Sequence, residues 1–318
     1  GVVRPRTLDE GEEHVNSRIV KLMVKDGSAA DEKVAEAKLQ KMSSENITAY
    51  LRSKSAAEFL EAYPEGPRRG MIQFPNWFAD GTVMPVDFYE ALRAGNYNKV
   101  PVILGSNKEE TKAFMFAMRP FVAWLGDGSL FREPEKRELY DLVTRYQSYE
   151  WKIRAVDKPA RLMRAHEDQP GIWTYNFHWG AGGMMNSVMP RPYGLILGAA
   201  HAMEIDFVFG TEAVSLGRFG FDRKNRPGRV KLSNAMMDYW AHFAWTGDPN
   251  PKESALPEWK PWSNKEGEPK VIIFDADFKD LKITMSDQEL TMSDIEKALE
   301  SEPRVEELKP IIPTFSIR

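Results

Sequence analysis

The residues best placed to move protons are two adjacent glutamates and one histidine. Glu109 and Glu110 follow directly on an apolar run in VPVILGSNKEETKAF. His201 stands in GAAHAMEIDFVFG, behind three small residues and ahead of an apolar stretch. A carboxylate just past the end of a buried strand can accept the Nδ1 proton of an imidazole. It then fixes the tautomer and stabilises the imidazolium when that histidine acts as a base. Active-site groups in open α/β sheets gather at the carboxyl ends of strands. Small residues beside His201 would let the chain bring the ring close to another loop. A solvated Glu-Glu turn and a packed histidine account for the same residues, so spacing alone leaves both readings open.

Other chemistries find less support. His14, His166, His178 and His242 complete the histidines, and no H-E-x-x-H occurs. Neither G-x-x-x-x-G-K-[ST] nor G-x-G-x-x-G is present, and S-x-x-K is absent. The chain has no cysteine, which excludes disulfides, Cys-ligated zinc, iron–sulfur clusters and a Cys nucleophile. Lys and Arg total 43 against 47 Asp and Glu, a net charge of −4, without the clustered basic excess that nucleic acids require. The longest near-apolar run, 113–125, is broken by Arg119 and Pro120 and is too short to span a membrane. No cofactor, nucleic-acid partner or membrane span is expected. Zero cysteines suits a cytosolic or a bacterial exported protein and does not choose between them. The chain opens on Gly1, which reads as a cut or processed end, so any leader would lie upstream.

The elements that must position these groups alternate. Val100–Gly105 (VPVILG), Ile172–Trp179 (IWTYNFHW) and Val271–Asp275 (VIIFD) read as strands, the first continuously apolar as a strand buried on both faces would be. Helical patterns over Glu133–Tyr149, Val156–His166 and Lys231–Trp245 separate them. Strands spaced by helical crossovers predict parallel βαβ units. Three strands make a narrow sheet, so completion by residues outside this chain is expected. Earlier in the chain, Ser28–Asp31 and Ser55–Glu58 read as capping boxes, Pro64–Arg69 as a loop and Asp80–Gly81 as a tight turn. Ser286–Glu300 reads as a polar helix. At 318 residues with 42% hydrophobic composition, the chain can bury a real core in one large or two ordinary domains.

Ordered motifs then carry a resemblance. DGTVMP at Asp80–Pro85, GNYNKVPVILGSNKEE at Gly95–Glu110, HAMEIDFVFG at His201–Gly210, DYWAHFAWTGDPN at Asp238–Asn250 and WKPW at Trp259–Trp262 are similar to the C-terminal part of the type-B carboxylesterases. That family includes cholinesterases and bile-salt lipases, and the match covers most of residues 1–285. The resemblance implies the α/β class and the C-terminal portion of an α/β-hydrolase fold. Its mostly parallel sheet would be completed by an absent N-terminal segment, and residues 1–318 would form part of one hydrolase domain.

By the same resemblance Glu110 takes the triad acid position and His201 the base position. Glu109-Glu110-Thr111 replaces the usual Asp-Glu-Gly. The family's order is nucleophile, acid, base, and its G-x-S-x-G elbow would fall before Gly1. Ser215, in AVSLG, follows His201 and inverts that order; a loop serine is its expected role. The implied function is carboxylic ester hydrolysis by a Ser-His-Glu triad. This chain would supply His and Glu, and a separate N-terminal fragment of the same enzyme would supply the serine and oxyanion hole. Small esters are the implied substrates, with Phe114 and Met115 against them and Met118, Met184 and Met185 as flexible neighbours. Glu204 is expected as a buried hydrogen-bonding group. A non-catalytic cholinesterase-like adhesion module is the competing reading.

Overall fold

The computed structural model describes residues 6–63, 77–115, 118–212 and 216–311. The chain divides into two compact units, Val3–Phe88 and Tyr89–Arg318. The expected loop at Pro64–Arg69 and Ser215 lie outside the described residues.

The smaller unit contains α1 (Leu8–Lys25), α2 (Glu32–Leu39), α3 (Ser44–Arg52) and α4 (Ala56–Ala62). Ile19, Val20, Met23, Ala35 and Leu39 meet in its core. The Ser55–Glu58 capping box forms at the start of α4. The expected box at Ser28–Asp31 does not. Asp31 itself is the N-cap of α2, accepting from the Val34 N–H at 2.8 Å, and the Ser28 N–H is held by Asp26. An aspartate that can cap outcompetes a serine three residues earlier, because capping rewards the residue next to the first helical turn. At the Asp80–Gly81 turn, Asp80 Oδ1 collects the N–H groups of Thr82, Val83 and Met84, and Gly81 takes φ +72°.

The larger unit is built on a four-stranded sheet in the order β1 (Val102–Asn107), β2 (Ile172–Phe177), β3 (Val271–Phe274), β4 (Thr284–Ser286). The first three strands are parallel and β4 is antiparallel. Val102 lies beside Ile172 and Thr174 beside Val271, which brings the carboxyl ends of β1 and β2 level. Gly105 is required by a neighbour: a Cβ there would lie 1.8 Å from the Tyr175 ring. Trp259 is fully buried; its indole donates to Thr174 O at 3.1 Å while Trp173 donates to Trp259 O at 3.0 Å.

Helices α5 (Lys112–Met115), α6 (Pro134–Lys152), α7 (Lys158–Met163), α8 (Arg226–Thr246) and α9 (Met292–Glu300) surround the sheet's connections. Phe177, Phe207, Met236, Tyr239 and Phe274 form one core and Met115, Phe121, Tyr140, Val143 and Ile295 another.

Several boundaries differ from the sequence reading. Ser286 belongs to β4, and α9 begins only after Thr291, which forms a capping box with Asp294. Helix α9 is also amphipathic, burying Ile295 and Leu299. The pair of helices expected at Glu133–Tyr149 and Val156–His166 is one run, α6 joined to α7 by a π turn at Ile153–Asp157. There the Lys158 N–H reaches Ile153 O. Pro159 follows at once; it has no N–H and would crowd the carbonyl four residues back, so an inserted residue relieves the clash.

Candidate active site

Where β1 ends, the chain turns toward the loop that carries His201. Two backbone bonds join the loops: Glu109 N–H to Ala199 O at 3.0 Å and His201 N–H to Glu110 O at 3.1 Å. The small residues make this approach possible. Ala199 and Ala200 are fully buried, and a Cβ on Gly198 would lie 1.9 Å from Glu109 Oε2. Directly after the histidine, Ala202 takes φ 67°, the sole positive φ of a non-glycine among the described residues. Such strain is held only where the surroundings over-determine the backbone, and it clusters at functional sites.

Both Glu110 oxygens are engaged. Oε1 accepts the Asn107 N–H at 2.8 Å and Oε2 lies 2.7 Å from His201 Nδ1. The carboxylate is buried, whereas the His201 side chain is 43% exposed. Among the described residues Nε2 makes no hydrogen bond, so a proton-accepting nitrogen faces away from the glutamate. The hydrogen bond that His201 donates to Glu110 raises its pKa above the usual 6.5; burial opposes this, and the charges of Glu110 and Glu204 add to it.

Geometry also separates the two adjacent glutamates. Glu109 is occupied elsewhere, accepting from Ala199 N–H at 3.1 Å and from the fully buried Lys112 at 2.9 Å. Thr111 is buried with its hydroxyl near Thr144 O and Ser148 Oγ, and it does not adopt a left-handed backbone. A threonine in place of glycine is thereby accommodated. Glu204 accepts from the Asn107 side chain, and burial pushes its pKa up.

Of the two residues expected against substrate, Phe114 is at the site and Met115 is not. Phe114 is half-buried, with its ring centroid 5.3 Å from that of His201. Met115 has no exposed surface; it packs beneath α6 with Phe121 and Tyr140, and it is corrected to a core residue. One helical step past Phe114 turns the side chain by about 100°, away from the imidazole. Met118 and Met184 lean on the same core, and Met185 is exposed.

Two residues at the site escaped the sequence reading. Trp151, from the last turn of α6, has its ring 5.1 Å from His201 and stacks on Phe114 at 6.1 Å and 14°. Asn107 ties both loops, donating its backbone N–H to Glu110 and its side-chain amide to Ala200 O and Glu204. Only the position of Asn107 at a strand's carboxyl end hinted at this role; nothing local marked Trp151. No cluster of three or more His, Cys, Asp or Glu residues suited to a metal occurs among the described residues.

Comparison with known proteins bears on the family and the fold. The model of the carboxylesterase family matches residues 132–292, just over half of the chain. Mouse carboxylesterase 1F is 26% identical over 258 residues, covering 68% of this chain and 43% of the relative. Acetylcholinesterase 1 of Caenorhabditis elegans is 26% identical over 242 residues, 63% of this chain and 37% of the relative. The chain thus spans less than half the length of these curated relatives. Among solved structures, EstA of Aspergillus niger superposes with a TM-score of 0.56 at 19% identity, covering 93% of this chain and 56% of EstA. The overlap places the larger unit's parallel-dominated sheet in the α/β-hydrolase fold.

Proposed function

This chain belongs to the carboxylesterase family, and from that premise and the site geometry we propose that it carries the base and the acid of a serine ester hydrolase. His201 is the general base and general acid, and Glu110 orients it. The nucleophilic serine and the oxyanion-hole donors come from a segment that precedes these residues in the family's order. The observation that carries the proposal is the 2.7 Å contact between Glu110 Oε2 and His201 Nδ1.

The chemistry is a two-step acyl transfer. The serine hydroxyl attacks the ester carbonyl while His201 Nε2 takes its proton and Glu110 stabilises the resulting imidazolium. His201 then returns that proton to the departing alcohol oxygen. In the second step Nε2 removes a proton from water, hydroxide adds to the acyl-enzyme, and the serine leaves with that proton as the acid is released. Phe114 and Trp151 flank the imidazole and present an apolar wall to small ester substrates.

The test is steady-state hydrolysis of p-nitrophenyl butyrate by the complete enzyme and its His201→Ala variant. A fall in kcat on the order of a millionfold is expected, as for loss of a triad base elsewhere. Turnover within tenfold of wild type in a folded variant would remove His201 from this role.

A further inference from the structure

Between the carboxyl ends of β1 and β2 and the flank of α6 lies a cavity of about 220 Å³ that the proposed hydrolysis does not use. Lys108, Ser148, Tyr149 and His178 contribute to its polar lining together with the amides of Asn107, Asn176 and Gln288, and Ile273 and Leu290 contribute an apolar wall. No carboxylate lines it among the described residues. Lys152 also reaches this region, but its charge is already met by Asp157 at 2.6 Å, with both side chains buried. Lys108 is exposed and forms no ion pair among the described residues. Asp275 feels the charge of Lys108 without lining the cavity, and burial raises its pKa, which favours its neutral form.

The imidazole of His178 makes no hydrogen bond among the described residues. Burial pushes its pKa down to about 3, and the charges of Lys108 and Lys152 act in the same direction. The residue is half-buried and lines the cavity, so a molecule placed there can meet the ring. One uncompensated cation, several donors and an apolar wall define the complement: a single negative charge on a short alkyl stem. At about 30 Å³ of liquid volume per water, the space equals roughly seven waters, which suits a molecule of a few heavy atoms.

We infer that this cavity binds a short-chain carboxylate, its anionic end on Lys108, Ser148 and His178 and its alkyl end on Ile273 and Leu290. The assignment does not depend on the esterase reading. A negative charge placed here offsets the lysine field around His178 and so raises the affinity of that ring for a proton.

The probe is sodium butyrate, added to the full chain at pH 7 while long-range 1H–15N NMR follows the imidazoles of His178 and His201. A saturable shift at His178 is expected. Butyramide, which has the same outline without the charge, should move nothing. Lys108→Met should weaken the response by at least about tenfold, the worth of one charged hydrogen bond. Because Lys108 is exposed, the variant should retain the wild-type circular dichroism spectrum and melting temperature. No saturable response at His178, movement of His201 alone, an equal response to butyramide or unchanged affinity in Lys108→Met would each overturn the assignment. Inorganic phosphate competing as strongly as butyrate would remove the alkyl wall from recognition and overturn the carboxylate class.

Discussion

At His201 the direction of a single pKa shift sets the pH dependence. As a base the ring must start neutral, and Glu110 holds its proton more tightly than an unpaired imidazole would. Activity is therefore lost as pH falls through a value above the usual 6.5, and kcat/KM should show its acid limb there. Glu110→Gln removes the charge that raises the pKa. The limb should move down, and kcat should fall about ten-thousandfold if the pair behaves like other triads. A limb that stays in place, measured as kcat/KM against pH, would show that another group titrates. The same pairing contributes native stability below the unfolded histidine pKa and loses it as pH rises through the folded one. That Glu110 and His201 could meet was legible, because one lies past a strand end and the other among small residues, and the two side chains come within 2.7 Å. Glu109 and Glu110 could be told apart from sequence only by resemblance; the burial of Lys112 beside Glu109 separates them physically.

Elements fix the orientation of those residues, and the π turn at Ile153–Asp157 is the least ordinary of them. Trp151 sits just before it, and Lys152 and Asp157 clasp it through hydrogen bonds of 2.6–2.7 Å. Asp157 also accepts the Leu290 N–H at 2.8 Å, joining the turn to the segment ahead of α9. Lys152→Met would strand a fully buried carboxylate and should cost about 3–5 kcal/mol, read as a lower urea midpoint. The double variant Lys152→Met, Asp157→Leu should recover much of that loss, because a matched apolar pair restores burial without an unpaired charge. No recovery would mean that the Leu290 contact, and not the ion pair, holds the turn. Helical periodicity could not reveal the turn, since one extra residue shifts the phase without changing composition. The early end expected for β1 and the missed β4 share a cause: polar residues such as Ser106, Asn107 and Thr284 pair in the ladder through their backbones, whereas β2 stops at Phe177, short of the expected Trp179.

For the whole molecule, the free edge of β1 matters most. Among the described residues β1 pairs only with β2, yet it reads VILGSN with Val102, Ile103 and Leu104 half-buried. An apolar edge with unpaired backbone groups is a template for another strand. On the proposed function, the segment that carries the serine would pair there. Residues 1–318 expressed alone should hydrolyse no ester above background, and supplying the preceding segment, joined or as a second polypeptide, should restore turnover. Hydrolysis by the isolated chain would place the nucleophile within it.

The sequence by itself indicated three of the four strands and their parallel pairing, and it marked two glutamates and one histidine as candidates, because strand burial and proton transfer both demand particular residue types in a particular order. It did not determine what touches His201. Trp151 and Asn107 reach the site through a helix phase and a strand register, and both are settled by packing between segments far apart in the chain. Met115 and Phe114 are adjacent in sequence and read alike as apolar. Which of them meets the imidazole was decided only when α5 folded against α6 and buried one of the two.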